Sequence, residues 1–175
     1  MRRVVTGHRN GKSVIVDDTE IPSTEIPAHN LIGGLTLTHF WETDGIPTIP
    51  LEEGDYKKQL VFKFPEPGGT RAGVAWFPPD EKIFNKAREL NMDPEKVWRE
   101  ATGDDWGMQT TDSVDIDIIL SGELWMELDD GAEVHLKPGD CVVQNGTRHA
   151  WRNRGTETCV MASFIMGANR RQNTE

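Results

Sequence analysis

From about residue 108 onward, short runs of strand-forming residues alternate with tight-turn signals so closely that the segment reads as β throughout. Asp129-Asp130-Gly131 is placed to close a hairpin between Glu123 to Leu128 and Glu133 to Leu136. Lys137-Pro138-Gly139-Asp140 makes the next turn, Cys141 to Gln144 the next strand, and Asn145-Gly146-Thr147 reverses it. His149 to Asn153 and Thr158 to Met166 complete the series. Strands this short and this close together bury their apolar faces against one another, in a sandwich or a barrel.

The first half carries strand runs near Val4, at Ser13 to Val16, Leu31 to Phe40 and Gln59 to Phe64, none offering a helix of useful length. Ile46 to Pro50 and Pro65 to Gly69 are rich in Pro and Gly; they read as loops that cover a barrel mouth. Residues 80 to 104 break the pattern. Ile83, Phe84, Ala87 and Leu90 fall at helical spacing after Asp80, read as an N-cap. Asp93-Pro94 then caps and opens a second helix, with Val97, Trp98 and Ala101 on its apolar face. This short helical insertion is expected to cover the barrel, either as plain surface or as a lid over a ligand.

A chain of 175 residues is long enough for one domain with a hydrophobic core of its own, so residues 1–175 are read as a single domain with its main strands over about 107–167. Nineteen basic residues against twenty-nine acidic ones leave a formal charge of −10, which repels a phosphate backbone and argues against nucleic-acid binding. No apolar stretch is long enough to span a membrane, and the start, Met1-Arg2-Arg3-Val4-Val5-Thr6, lacks the apolar core of a secretion signal. The expected setting is the cytoplasm and the expected partner a small molecule. Cys141 and Cys159 lie in apolar runs without zinc-finger spacing; buried, inert thiols are expected, and their pairing is open.

Residues 109–153 resemble the cupin superfamily, whose first motif is written G-x5-H-x-H-x3,4-E-x6-G and whose second is G-x5-P-x-G-x2-H-x3-N. Counting back from Gly122 sets Gln109, Thr111 and Asp115 at the three ligand positions of the first motif, none of them the residue expected. The second motif starts at Gly139, has Asn145 in place of Pro and Gly146 one place early, and keeps His149-Ala150-Trp151-Arg152-Asn153 as H-x3-N. The resemblance implies an all-β fold, a jelly-roll barrel with a ligand or metal inside its mouth and, commonly, a homodimer. It does not choose a chemistry, since the superfamily holds oxygenases, lyases, isomerases and non-catalytic binders.

Cupin metal sites commonly use three imidazoles and a carboxylate. Here His149, Asp115 and Gln109, completed by Thr111 or water, form an oxygen-rich set expected to hold no metal or a weakly held divalent ion (Mn, Fe, Zn or Ni). His149 and Asp115 are the candidate catalytic pair, the carboxylate orienting the ring and the other ring nitrogen moving a proton. Alternation places Trp151 with His149 and Asp117 with Asp115. It also groups Leu37, His39 and Trp41; together with Gln109 and Thr111, which the resemblance sets at ligand positions, Asp117, Trp151, His39 and Trp41 are candidate substrate contacts. Arg71, Arg148, Arg152 and Arg154 either bind an anionic substrate or pair with nearby carboxylates. The reading that follows is a small-molecule lyase or isomerase working by acid–base chemistry; a metal-dependent oxygenase and a non-catalytic binder are the rivals.

Overall fold

The computed structural model describes residues 1–26, 33–57, 60, 63–102 and 106–171. In chain order its elements are β1 (Arg2–Arg9), β2 (Lys12–Glu20), β3 (Thr24–Ile26), β4 (Leu35–Thr43), α1 (Glu53–Lys57), β5 (Thr70–Phe77), α2 (Asp80–Glu89) and α3 (Pro94–Thr102). There follow β6 (Ser113–Ser121), β7 (Leu124–Glu127), β8 (Glu133–Leu136), β9 (Cys141–Asn145), β10 (Ala150–Arg152) and β11 (Cys159–Gly167). The fold is all-β, a jelly roll with a short helical insertion between β5 and β6.

One sheet runs β3-β4-β5-β11-β6-β9, a second β10-β7-β8, and β1-β2 forms a separate hairpin. The two larger sheets share a core: Ile119, Leu124, Met126, Leu136, Cys159 and Met161 pack together across them. Burying one such side chain contributes about 2 kcal/mol. A left-handed glycine joins β6 to β7. Gly122 has φ +72°, and a Cβ there would stand 2.7 Å from the Cys159 Cα. The glycine that closes the first motif is thus required by the close approach of β11.

Several elements differ from expectation. The strand expected over Gln59 to Phe64 is not formed at Leu60, Lys63 or Phe64, and its other residues lie outside those described. Residues 31 and 32 of the Leu31 to Phe40 run also lie outside them, and the strand there begins at Leu35. Outside the expected strand runs, residues 53–57 form the five-residue α1. The Ala- and Gly-rich β5 sits mid-sheet between β4 and β11, where both neighbours supply the pairing its composition does not favour. Asp80 is the first helical residue of α2 rather than its cap, and the cap position is Pro79. The Asp80 carboxylate instead accepts the Asn153 amide at 3.2 Å, while the Asp80 amide donates to the Asn153 carbonyl at 2.9 Å. This exchange fastens the start of α2 to the end of β10. Asp93 does cap α3, accepting the Glu95 amide at 2.9 Å. Cys141 and Cys159 are free thiols; Cys159 is buried as expected, but Cys141 is exposed on the edge strand β9.

Candidate functional site

Register alone defines the layers of the interior. At one level Glu42, Arg71, Ile165, Asp115 and Gln144 lie side by side across β4-β5-β11-β6-β9. One step further along the strands come His39, Gly73, Ser163, Asp117 and Val142. The third level is Leu37, Ala75, Met161 and Ile119, which leads into the apolar core. The upper end is therefore polar and the lower end apolar. A cavity of about 410 Å³ opens along this gradient. Its polar part is lined by Asp115, Asp117, His149, Arg71 and His39, its apolar part by Leu37, Phe77, Ile83, Trp98, Trp151 and Met161.

β6 reads Ser-Val-Asp-Ile-Asp-Ile-Ile-Leu-Ser, and its phase is the reverse of the ordinary amphipathic strand: Ser113, Asp115, Asp117 and Ile119 are buried. Asp117 accepts a hydrogen bond from Ser163 Oγ at 2.6 Å. Burial pushes its carboxyl up to about 6, the Ser163 hydrogen bond opposes this, and the neighbouring Asp115 charge adds to it. Burial also raises Asp115, against the opposing influence of Ser113 and His149. Asp115 Oδ1 is buried with no hydrogen-bond partner among the described residues. Such an acceptor carries an uncompensated desolvation cost unless a ligand supplies the donor.

His149 is buried, its ring tilted edge-on to Trp151 with centroids 5.7 Å apart. Nδ1 lies 2.5 Å from Gln144 Nε2 and 3.0 Å from the Thr147 carbonyl. The His149 backbone is held by paired hydrogen bonds to Gln109 of 2.8 and 2.9 Å. Gln109 and Thr111 both line the cavity, and Thr111 Oγ1 accepts from Ser113 Oγ at 2.9 Å. His39 also lines it, with Nδ1 3.9 Å from Glu42 Oε2.

Trp41 is not among the lining residues. Phe40 has no partner in the β4–β5 register, so the strand bulges and the alternation is offset by one. Trp41 then pairs with Ala72, level with Phe164 on the outer face, and Glu42 takes the inward position beside Arg71. Phe40 meets Phe164 edge-on there. Arg71 is almost wholly buried; it donates to the carbonyls of Thr43 (2.7 Å) and Thr70 (2.8 Å) and to Asp44 (2.8 Å). Arg148, Arg152 and Arg154 pair with Asp129, Glu127 and Glu133 respectively, so all four arginines have carboxylate partners.

Some site residues escaped the sequence reading. Gln144 shares its face with Val142 at the end of an otherwise apolar run, and that isolated amide was the available signal. Ile83 and Trp98 bring the helical insertion into the cavity wall, where they also pack with Ala87 and Val97. The loops expected over the mouth, residues 46–50 and 65–69, contribute no lining residue to the cavity. Ile46 and Ile49 are exposed, and Gly68 and Gly69 are hydrogen-bonded to Gly167 at the end of β11.

The cupin domain model matches residues 110–165, a stretch that holds the second motif and the first from Thr111 onward. The chain is 49% identical over 153 residues to phomopsin biosynthesis cluster protein C' of Diaporthe leptostromiformis, covering 87% of this chain and 70% of that protein. The chain belongs to the cupin superfamily. Phomopsin biosynthesis cluster protein D of the same organism matches this cupin with the same identity and coverage. Among solved structures, a cupin 2 conserved barrel domain protein from Salinispora arenicola aligns at 14% identity over 77% of this chain and 76% of that one, with a TM-score of 0.40.

The metal-ligand positions of the cupin motifs fall at Gln109, Thr111, Asp115 and His149. The donors present here do not fit a metal. Among the described residues no three His, Cys, Asp or Glu side chains gather closely enough to hold an ion. The positions that supply imidazoles in the family motif carry Gln109 and Thr111, and the Thr111 hydroxyl is engaged by Ser113. Among the described residues no helix is long and apolar enough to cross a membrane.

Proposed function

We propose that this cupin is a small-molecule enzyme of lyase or isomerase type that moves protons with Asp115, Asp117 and His149 and uses no resident metal. The observation that carries the reading is a pair of buried carboxyls on one face of β6, at the polar end of a largely apolar cavity, with Asp117 pushed up to about 6. A carboxyl tuned towards neutrality serves as either acid or base at physiological pH. In an elimination, the Asp115 carboxylate takes a proton from the carbon next to a substrate carbonyl. The electron pair forms the new double bond, and the Asp117 carboxyl protonates the departing hydroxyl, which leaves as water. In an isomerisation the proton taken by Asp115 is returned at another carbon. His149 faces the same space and supports the substrate carbonyl as charge develops on it.

Three further features support a small-molecule role. The relatives are named for biosynthesis clusters. The net charge of −10 disfavours a nucleic acid. The cavity of about 410 Å³ is of the size that takes small ligands. The same reading has residues 1–175 acting as one domain, in a homodimer for which Val143, Phe164 and Met166 supply an exposed apolar patch on the outer sheet face.

The test is proton exchange into heavy water, read by NMR over a panel of carbonyl compounds with acidic α-hydrogens. Exchange that survives chelation and is lost in Asp115→Asn and His149→Ala is expected. Exchange that disappears with chelator and returns with a divalent ion, or that persists in both variants, removes the reading.

A further inference from the structure

The hydrogen bonds around His149 determine which ring nitrogen carries its proton. Gln144, buried on β9 opposite Asp115, accepts the Gly146 amide at 2.8 Å through Oε1. A backbone N–H only donates, so the oxygen of the Gln144 amide is on that side. The NH2 side then meets two acceptors, the Thr147 carbonyl at 2.6 Å and His149 Nδ1 at 2.5 Å. Turning the amide over would set donor against donor at Gly146 and acceptor against acceptor at Thr147. Gly146 holds this arrangement in place: its φ is +60°, and a Cβ would stand 2.9 Å from the Thr111 carbonyl. The Thr147 carbonyl also lies 3.0 Å from Nδ1 and would call for a proton there, but that proton would face the Gln144 NH2 at 2.5 Å; the closer contact decides, and Nδ1 accepts. In a neutral imidazole the proton then belongs to Nε2, the nitrogen left for the cavity that His149 lines.

Asp115 presents the complement. Its buried Oδ1 accepts nothing among the described residues, and its charge is close enough to His149 for the two to interact. We infer that Gln144 holds His149 as the Nε2–H tautomer, so that the cavity offers a donor at His149 beside an acceptor at Asp115. It thereby selects uncharged ligands that carry an acceptor and a donor side by side on an apolar body. A carboxamide is the simplest such group, and a carbonyl flanked by a hydroxyl is another. A ligand carboxylate sets an oxygen against Asp115. An ammonium group sets an N–H against His149, and a metal ion meets a protonated nitrogen. The apolar body lies against Phe77, Trp98, Trp151 and Met161. Gln144 is thus a positioning residue, and the assignment rests on the reading that this cavity is the working site.

Two NMR measurements on the full chain test it. Protein labelled with ¹⁵N-histidine gives two-bond ¹H–¹⁵N correlations, with His149 assigned from the signals lost in His149→Gln. A bare Nδ1 and a protonated Nε2 in the neutral ring are expected; a protonated Nδ1 overturns the tautomer. The same signals are then followed against benzamide and benzoate, which share shape and differ in the donor. Benzamide is expected to bind at least about tenfold more tightly, as a site with buried polar groups rejects a ligand that leaves them unpaired. Equal affinity, a preference for benzoate, or no response to either probe overturns the pairing. Asp115→Asn places an NH2 where the acceptor stood, and the preference should fall about tenfold; an unchanged preference removes Asp115 from the assignment. Neither measurement needs turnover. Loss of the exchange chemistry alone ends the lyase or isomerase reading and leaves this one standing.

Discussion

The upper and lower ends of the barrel interior are built from the same strands in the same alternation, yet one is polar and the other apolar. β6 contributes Ile119 below and Asp117 and Asp115 above; β11 contributes Met161 below and Ser163 above; β5 contributes Ala75 below and Arg71 above. The lower end gains from burial. The upper end bears the cost of desolvating carboxyls, and Asp115 Oδ1 has no hydrogen-bond partner among the described residues to offset it. Apolar packing and buried polar groups are thus separated along the strand direction, within the length of single strands.

Substitutions at the two ends should therefore have opposite signs. The largest expected effect is at the bottom, where Leu124→Ala empties a side chain that is 0% exposed and should cost about 3 kcal/mol in urea unfolding. A loss below about 1 kcal/mol would show that the lower end is not the packed half. At the top, Asp117→Asn should stabilise. The folded carboxyl is held near 6 against 3.8 in the unfolded chain, so the folded state binds the extra proton and stability falls as pH rises through that window. The variant should gain about 2 kcal/mol at neutral pH, and the gain should vanish below about pH 4. A gain independent of pH would assign the effect to something other than the buried charge.

At the junction, Asn153 Nδ2 donates to the carbonyls of Phe77 and Glu157, both at 2.8 Å, with the side chain 1% exposed. Asn153→Ala should cost about 2 kcal/mol, since two carbonyls lose their donor. It should also loosen α2, seen as faster amide exchange at Asp80. The smallest effect belongs to the surface: Arg88→Ala removes an exposed pair with Glu81 and should change stability by less than about 0.5 kcal/mol.

The contrast between the two ends was partly legible in the sequence. Alternation in Val114-Asp115-Ile116-Asp117-Ile118 gives a period of two but no phase, and by hydrophobicity alone the aliphatic residues would face inward. The motif spacing supplied the phase, because it set Asp115 at a ligand position. β5 left little signal, since Ala and Gly earn a central place from their neighbours rather than from propensity. Trp41 was misplaced because a bulge changes the phase of everything beyond it, and no residue type at Phe40 announces it. Gln144 carried only the signal of an isolated amide in an apolar run, because the Gly146, Thr147 and His149 groups that converge on it meet only in the fold.

The unpaired Phe40 has a consequence for how such barrels diverge. Deleting Phe40 would restore unbroken pairing and leave its neighbours where they are, Trp41 opposite Ala72 on the outer face and Glu42 opposite Arg71, 3.6 Å away. A codon lost at that point removes an outer-face ring and keeps the charged rim, whereas pairing Phe40 into the ladder at unchanged length would set Trp41 opposite Arg71 and turn Glu42 outward. A lineage of these proteins can thus shorten β4 by one residue and keep the carboxylate beside Arg71; what the cavity meets at this rim changes only where the extra residue is paired instead of bulged.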